Sequence, residues 1–312
     1  MPIRIAATQS RPARSRVGFT LVELVAVMAI IGIIAAVVAL FMRDPVRAYV
    51  DTARRGELSD VADTALRRMA RDIRSALPNS IRVTPSAGTP VHLELLLTKT
   101  GGRYRAQRDN VSAGDELLFS TTDTSFDTLG PMSALTGQTV ADGDLLVVHN
   151  LFAAAAQTES NAYTYNSATF MGNNVVRLGT TAGGSLPNAT KIRFRNPGGI
   201  ALNMQFPLQS PGNRFHVVSG PVTYRCAPAG PDANGNGTGM LERISGYAIA
   251  LAQPAPPVGS SGVLAGNVTA CNIQYDQLVL TQNHGIVSIQ LSITRGGETV
   301  SLYHEVHVSN VP

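Results

Sequence analysis

The sequence predicts an α+β protein in which one long N-terminal helix precedes an antiparallel, β-rich globular head. Three features indicate this: an apolar run from Phe19 to Phe41, a helical spacing of apolar residues that continues to about Leu77, and short alternating segments from Ser80 onward. We divide the chain of 312 residues into a basic leader (1–18), a helix (19–78) and a head (79–312).

The apolar run from Phe19 to Phe41 is long enough to cross a membrane. Only Thr20 and Glu23 interrupt it, and at about 1.5 Å per residue it extends about 34 Å as a helix, against a hydrocarbon core of about 30 Å. The leader carries more arginines than the segment that follows the run. This bias favours a cytoplasmic leader, a single span to about residue 41 and an exported head.

Composition indicates a folded chain that has no general attraction to anions. Hydrophobic residues make up 44% and charged residues 15%, which is typical of a chain that buries a core. The net charge of +4 comes from the leader arginines, namely Arg4, Arg11, Arg14 and Arg16. Subtracting those four from the 25 Lys and Arg leaves 21 basic residues against 21 acidic ones. We therefore do not expect nucleic acid as a partner.

A second helical pattern follows Asp44-Pro45, a pair that either kinks the helix or breaks it briefly. Its apolar residues recur at steps of three and four: Leu58, Ala62, Ala65, Met69, Ile73 and Ala76. This spacing predicts an amphipathic segment with one apolar seam. Pro78 and Asn79 are predicted to end it.

The rest of the chain alternates between predicted strands and loops. Six segments have the apolar alternation of strands: Val91–Thr98, Glu116–Ser120, Leu145–His149, Lys191–Arg195, Val222–Cys226 and Cys271–Leu278. Gly285–Thr294 and Thr299–Val308 flank Arg295-Gly296-Gly297, which predicts a hairpin. Three segments rich in Gly, Pro and Asn are predicted loops: Gly183–Asn188, Pro228–Gly239 and Pro254–Gly266.

The two cysteines, Cys226 and Cys271, lie in the part predicted to be exported. An even number of cysteines in an oxidising compartment predicts a disulfide. Two unrelated buried thiols are the alternative.

The residues Gly18-Phe19-Thr20-Leu21-Val22-Glu23-Leu24 place a glycine after the basic leader, then a phenylalanine, then one carboxylate inside the apolar run. This pattern resembles the class III signal of type IV prepilins and of type II secretion pseudopilins. The resemblance implies cleavage by prepilin peptidase between Gly18 and Phe19, with methylation of the new Phe19 amine. An ordinary signal anchor that contains Gly-Phe is the alternative.

The same resemblance implies an assembly role for Glu23, whose carboxylate would meet the N-terminal amine of a neighbouring subunit. A charged residue within a membrane span is costly, so a function is the default interpretation. A carboxylate that merely lies near the lipid headgroups is the alternative.

Further patches extend the resemblance over much of the chain: Ala65–Arg74, Ala76–Ser80, Gly102–Arg105, Ser210-Pro211, Arg214-Phe215 and Pro221–Cys226. Together they are similar to MshO-type minor pilins of the mannose-sensitive haemagglutinin (MSHA) pilus system, relatives of the J-type minor pseudopilins. The resemblance implies a non-enzymatic subunit of the inner membrane with a periplasmic head, which later enters a surface pilus. Its implied partners are prepilin peptidase and, through the helix, other minor and major pilins.

Three functions fit these residues. The first is a minor pilin that primes or caps filament assembly at the tip. The second is a minor pseudopilin of a type II secretion system, and the third is a tip adhesin or DNA-binding pilin. No catalytic motif is present in the sequence, and we expect neither an enzyme nor a small-molecule substrate.

A possible calcium loop begins at Asp232, where Asp232, Asn234, Asn236 and Gly237 match the pattern Asp-x-Asn-x-Asn-Gly. The twelfth position requires a bidentate glutamate but holds Arg243. A turn is therefore favoured over a calcium site, and no cofactor is expected.

Other groups of histidines and cations have simpler interpretations. His304 and His307 lie three residues apart on a predicted strand, so they point to opposite faces and do not form a metal pair. Two basic groups are interpreted as solvated sheet faces rather than DNA contacts: Lys191, Arg193 and Arg195, and Arg103, Arg105 and Arg108.

Overall fold

A helix of 54 residues, α1 (Leu21–Arg74), begins the fold, and an antiparallel sheet follows it. The predicted α+β class is confirmed. The computed structural model describes nine stretches: residues 18–84, 90–108, 114–121, 123–130, 140–141, 143–179, 191–194, 205–277 and 284–312. The chain forms two compact units, of which the first ends at Ala53 and the second comprises Arg54–Pro312.

The last six turns of α1 belong to the second unit and carry the predicted apolar seam. Buried residues recur along one side of this segment: Leu58, Ala62, Ala65, Leu66, Met69, Ala70, Asp72 and Ile73. The seam is thus confirmed, with one carboxylate inside it. Three of its eight members are alanines, which let the helix approach the sheet closely at those positions.

The helix continues through Pro45, so the brief break, one of the two alternatives expected at Asp44-Pro45, does not occur. The end of the helix needs correction. It ends at Arg74 rather than near Leu77. The chain leaves the helix there because Leu77 N–H donates to Leu96 O (2.8 Å) and Ser75 O accepts from Thr98 N–H (2.9 Å).

The described residues contain eleven strands and one short 3₁₀ helix at Ala162–Thr164. The strands are β1 (Arg82–Thr84), β2 (Val91–Arg103), β3 (Ser125–Asp127), β4 (Leu145–Val148), β5 (Val175–Gly179), β6 (Lys191–Phe194), β7 (Arg214–Ala227), β8 (Gly239–Ser245), β9 (Ser260–Gln277), β10 (His284–Arg295) and β11 (Glu298–Ser309).

The strands form one antiparallel sheet in the order β11-β10-β9-β8-β7-β4-β5-β6-β3. Strand β7 has partners on both sides. Strand β2 pairs with one edge of β7, and β8 and β4 pair with successive parts of its other edge. Strand β1 joins the sheet through β2. Strands β10 and β11 form the predicted hairpin around Gly296-Gly297, both of which have positive φ.

Most strand predictions are confirmed, usually as parts of longer strands, but two segments were wrong. Glu116–Ser120 is not a strand; Leu118 N–H donates to the side chain of Asp123 (2.6 Å) instead of to a neighbouring strand. The predicted loop Pro254–Gly266 ends early, since β9 begins at Ser260. The predicted loop Gly183–Asn188 lies outside the described residues.

Two large apolar cores stabilise the second unit. The seam of α1 packs on side chains from β2 and β7 to β11, including Leu93, Tyr224, Leu241 and Leu291. A second core at the β3–β6 end is aromatic, built around Tyr104, Phe126, Phe194, Phe206 and Phe215. Neighbouring rings meet edge to face at centroid distances of 5.5–6.4 Å, a favourable arrangement for π-systems.

Candidate functional site at the N-terminal helix

Thr20 and Glu23 cap the first turn of α1 reciprocally. Glu23 N–H donates to Thr20 Oγ1 (3.3 Å), and Thr20 N–H donates back to Glu23 Oε2 (3.2 Å). The Thr20 hydroxyl also donates to Oε2 at 3.2 Å. This is a capping box, in which two backbone donors that the helix leaves without partners are satisfied by side chains. The negative charge also lies at the positive end of the helix dipole.

The Gly18–Phe19 peptide bond directly precedes this cap and lies outside the helix. Phe19 is 81% exposed. A Cβ atom added at Gly18 would have no heavy atom of the described residues, apart from its chain neighbours, within 4 Å. Nothing in the described structure therefore requires glycine at this position. The rest of the predicted leader lies outside the described residues.

The apolar part of α1 is exposed over its whole length. All described residues from Gly18 to Val50 are exposed, including Ile30, Leu40 and Phe41. Within the described residues, α1 is the one helix long and apolar enough to cross a membrane, with a mean hydropathy of 3.1 in its most apolar window. So large an apolar surface needs a lipid or protein environment.

These features define a class of protein: a chain anchored by an exposed apolar helix with a polar cap at its start, followed by a large β-rich unit. A family model described as the prokaryotic N-terminal methylation motif matches residues 15–39. The match covers the leader end, the cap and most of the apolar run. It supports a type IV pilin-like protein that is processed by prepilin peptidase and anchored in a membrane. No curated protein and no solved structure matches the chain.

Cys226 of β7 and Cys271 of β9 form a disulfide. The bond closes a loop with a sequence separation of 45, and Cys226 is fully buried beside the α1 core. The cysteines are thus paired rather than separate thiols.

The segment from Asp232 to Gly237 forms a turn that docks on the β10–β11 hairpin. Asp232 Oδ1 accepts from the backbone N–H groups of Asn234 (2.9 Å) and Asn236 (2.8 Å), and the Asn236 contact lowers the pKa of Asp232. Asn236 Oδ1 accepts from Gly296 N–H (2.9 Å). The described residues contain no group of three or more His, Cys, Asp or Glu placed to hold a metal ion.

Nearby acids neutralise part of the predicted basic groups. On β6, Lys191 and Arg193 are exposed and alternate with buried Ile192 and Phe194, as predicted. Lys191 forms an ion pair with Asp115 at 2.9 Å, and Arg108 lies 3.5 Å from Glu116. Arg195 lies outside the described residues.

His304 and His307 point to opposite faces of β11, which confirms that prediction. His304 shares the side of β11 that carries buried Val306 and Val308, whereas His307 is exposed on the other side.

A buried polar cluster between α1 and the sheet was not predicted. Asp72 is 5% exposed, and its Oδ2 accepts from Tyr224 Oη (2.8 Å) and from Arg243 Nε (2.8 Å). Burial, and then the adjacent Asp72 carboxylate, raise the pKa of Tyr224 well above its usual value. The sequence did contain a signal for this cluster: Asp72 lies among the apolar residues of the seam. A carboxylate that is buried with apolar residues needs a hydrogen-bonding or charged partner.

Proposed function

We propose that the protein is a minor pilin of an MSHA-like type IV pilus that primes or caps filament assembly at the tip. In this proposal prepilin peptidase cleaves between Gly18 and Phe19, the Phe19 amine is methylated, and the mature helix passes from the inner membrane into the filament. The head occupies the periplasm first and the cell surface afterwards.

The observation that carries the proposal is the start of α1. The Gly18–Phe19 pair lies directly before a capped helix whose next six turns are apolar and exposed, inside the matched methylation motif. A helix whose apolar surface is exposed all round can be covered by lipid and then by neighbouring helices. That exchange is what transfer from a bilayer to a filament requires.

The capping box supports a specific role for Glu23. Its carboxylate is held by Thr20 in the isolated chain, so the charge is hydrogen-bonded while the helix is in the membrane. Cleavage would create a cationic amine at Phe19, about one helical turn before Glu23 of the same chain and available to the Glu23 carboxylate of a filament neighbour. Exchange of the Thr20 contacts for a neighbour's amine would fix the axial register of two subunits, which is the best-attested use of a buried charge pair.

The size of the second unit supports a low-copy position. Arg54–Pro312 forms one compact body, larger than the head of a repeating pilus subunit usually is. At a filament tip a head of this size has fewer neighbouring subunits, so steric crowding limits its size less.

Cross-linking in native cell envelopes, followed by mass spectrometry of the copurified proteins, tests this proposal. We expect minor pilins of one pilus system, together with a peptide that begins at methylated Phe19. Recovery with secretion pseudopilins would assign the chain to a secretion system instead. A Gly18→Val variant is the matched control, because it keeps the helix but blocks cleavage and should lose the filament partners.

A further inference from the structure

We propose that Arg43 and Arg47 of α1 form a binding site for the phosphate groups of phospholipids, at the membrane surface where the apolar run ends. This contact fixes how deep the helix lies in the bilayer. The proposal rests on the membrane span of α1 and not on the assignment of the chain to a pilus. Both arginines belong to the first unit.

The charged residues that bound the apolar run are one hydrocarbon thickness apart. Residues 24–42 carry no charge, and Arg43 follows Glu23 by 20 positions within one continuous helix. At about 1.5 Å per residue this distance is about 30 Å, which matches the hydrocarbon core of about 30 Å. When Glu23 lies at one boundary of the hydrocarbon, Arg43 therefore lies at the other, at the level of the headgroups.

Pro45 indicates the same depth independently. Proline has no backbone N–H, so the carbonyl of Phe41 lacks the donor that the helix would otherwise supply four residues later. The helix nevertheless continues through this position. A carbonyl without a donor is costly in hydrocarbon but can accept hydrogen bonds from water at the membrane surface. The carbonyl of Phe41 therefore belongs at the hydrocarbon boundary, two residues before Arg43.

Arg43 and Arg47 lie next to each other on one side of α1. Their spacing of four residues places the two side chains about 40° apart around the helix axis. Both are exposed, and neither has an ion-pair partner within the described stretches of the chain. Asp44 lies nearby and is exposed as well. Two arginines against this one acid leave a net positive charge at the surface.

Lipid phosphates fit this arginine pair. A guanidinium group donates paired hydrogen bonds to phosphate oxygens, and the long apolar stem of arginine lets its charged end reach the headgroups from a helix in the bilayer. Phosphate contacts at Arg43 and Arg47 would hold the helix at one depth. They would thereby keep the Gly18–Phe19 bond at the opposite surface of the membrane.

Solid-state NMR of the full chain in phosphatidylglycerol bilayers tests the phosphate contact. The arginine side chains carry ¹³C in the guanidinium group, and dephasing of their signal by ³¹P reports contact with lipid phosphate. We expect Arg43→Gln/Arg47→Gln to lose part of this dephasing, because the pair no longer meets the headgroups. Arg71→Gln is the control, since Arg71 is an exposed arginine of the second unit and its loss should leave the dephasing unchanged.

A tryptophan reporter tests the depth. The chain contains no tryptophan, so Met42→Trp introduces a single reporter beside Arg43, and lipids brominated at different acyl positions quench it according to depth. We expect strongest quenching by bromine near the headgroup. In the Arg43→Gln/Arg47→Gln background the strongest quenching should shift toward the chain ends, whereas Arg43→Lys/Arg47→Lys keeps the charges and should restore the shallow position.

Unchanged dephasing and depth in Arg43→Gln/Arg47→Gln would overturn the proposal, as would an equal loss of dephasing in Arg71→Gln. Neither measurement depends on cleavage or on filament partners. If the arginine pair has no effect while Phe19 is methylated, the lipid site fails and the proposed function stands. If the leader is not processed while the depth shifts as expected, the proposed function fails and the lipid site stands.

Discussion

The carboxylate of Asp72 on α1 accepts a 2.8 Å hydrogen bond from the hydroxyl of Tyr224 on β7. Together with the 2.8 Å contact from Arg243 of β8, this bond ties the helix to two adjacent strands. Both partners are largely buried, so the pair is protected from water and salt. The contact therefore fixes how the last turns of α1 lie on the sheet.

Replacing Asp72 should destabilise the second unit strongly. In Asp72→Ala the guanidinium of Arg243 and the hydroxyl of Tyr224 both lose their acceptor, and we expect the free energy of unfolding to fall by about 3 kcal/mol. Urea denaturation of the full chain in detergent, followed by tyrosine circular dichroism, measures this. Asp63→Ala is the control, since Asp63 is 51% exposed and should change the value by less than about 0.5 kcal/mol. Equal effects would contradict the role of Asp72.

Loss of the disulfide should lower stability by a similar amount. For a sequence separation of 45, the chain-entropy model gives a stabilisation of about 4 kcal/mol. The Cys226→Ser/Cys271→Ser double variant should show that loss in the same urea experiment. Adding a reductant to the unsubstituted chain should reproduce it, while the same reductant should leave the double variant unchanged. A double variant as stable as the original chain would show that the bond does not form.

Acid should destabilise the chain through His216. Burial, and then the charge of Arg214, lower the pKa of His216 from its ordinary 6.5 to about 4, and its Nε2 has no partner among the described residues. The unfolded chain therefore binds a proton below pH 6.5 that the folded chain refuses until about pH 4. The stabilisation, at most about 3 kcal/mol, is complete above pH 6.5 and is lost as the pH falls through that window.

His216→Gln removes the titrating group and should flatten the stability profile between pH 6.5 and 4. His307→Gln is the control, because His307 is exposed on β11. Urea midpoints measured at half-unit pH intervals give the comparison. A profile that keeps its slope in His216→Gln would assign the acid sensitivity to another group.

Two variants of Glu23 separate helix capping from charge. Glu23→Gln keeps an acceptor for Thr20, as a capping box allows, but it removes the negative charge; Glu23→Ala removes both. We expect both chains to be cleaved and neither to enter filaments normally, because each lacks the charge that would meet a neighbour's amine. Immunoblots of sheared filaments measure incorporation. Normal incorporation of Glu23→Gln would limit the role of Glu23 to capping the helix.

The long-range periodic features of the fold were predictable from the sequence, and the local exceptions were not. The α1 seam and the β10–β11 hairpin follow directly from spacing and turn residues, because burial imposes periods of 3.6 and 2. Glu116–Ser120 has the alternation of a strand, but it forms no continuous ladder in the described structure. Leu117 N–H donates to Arg105 O, whereas Asp123 takes the Leu118 N–H that a neighbouring strand would have used. Strand pairing depends on distant partners that a local pattern does not reveal.

Only some residues of the candidate site were predictable from the sequence. Gly18, Phe19 and Glu23 were recognised from the sequence, and the Thr-x-x-Glu spacing of Thr20 and Glu23 was readable as a capping box but was not used. The partners of Asp72 were beyond prediction, because Tyr224 and Arg243 come from β7 and β8, far away in the sequence.

The most direct test of the central claim is the mass of the N-terminal peptide of the protein isolated from native membranes. Processing as proposed predicts a chain that begins at Phe19 with one methyl group on its amine, and Gly18→Val should abolish that species while leaving the full-length chain in the membrane. A native chain that keeps the leader residues before Gly18, or that begins at any other residue, would contradict the account.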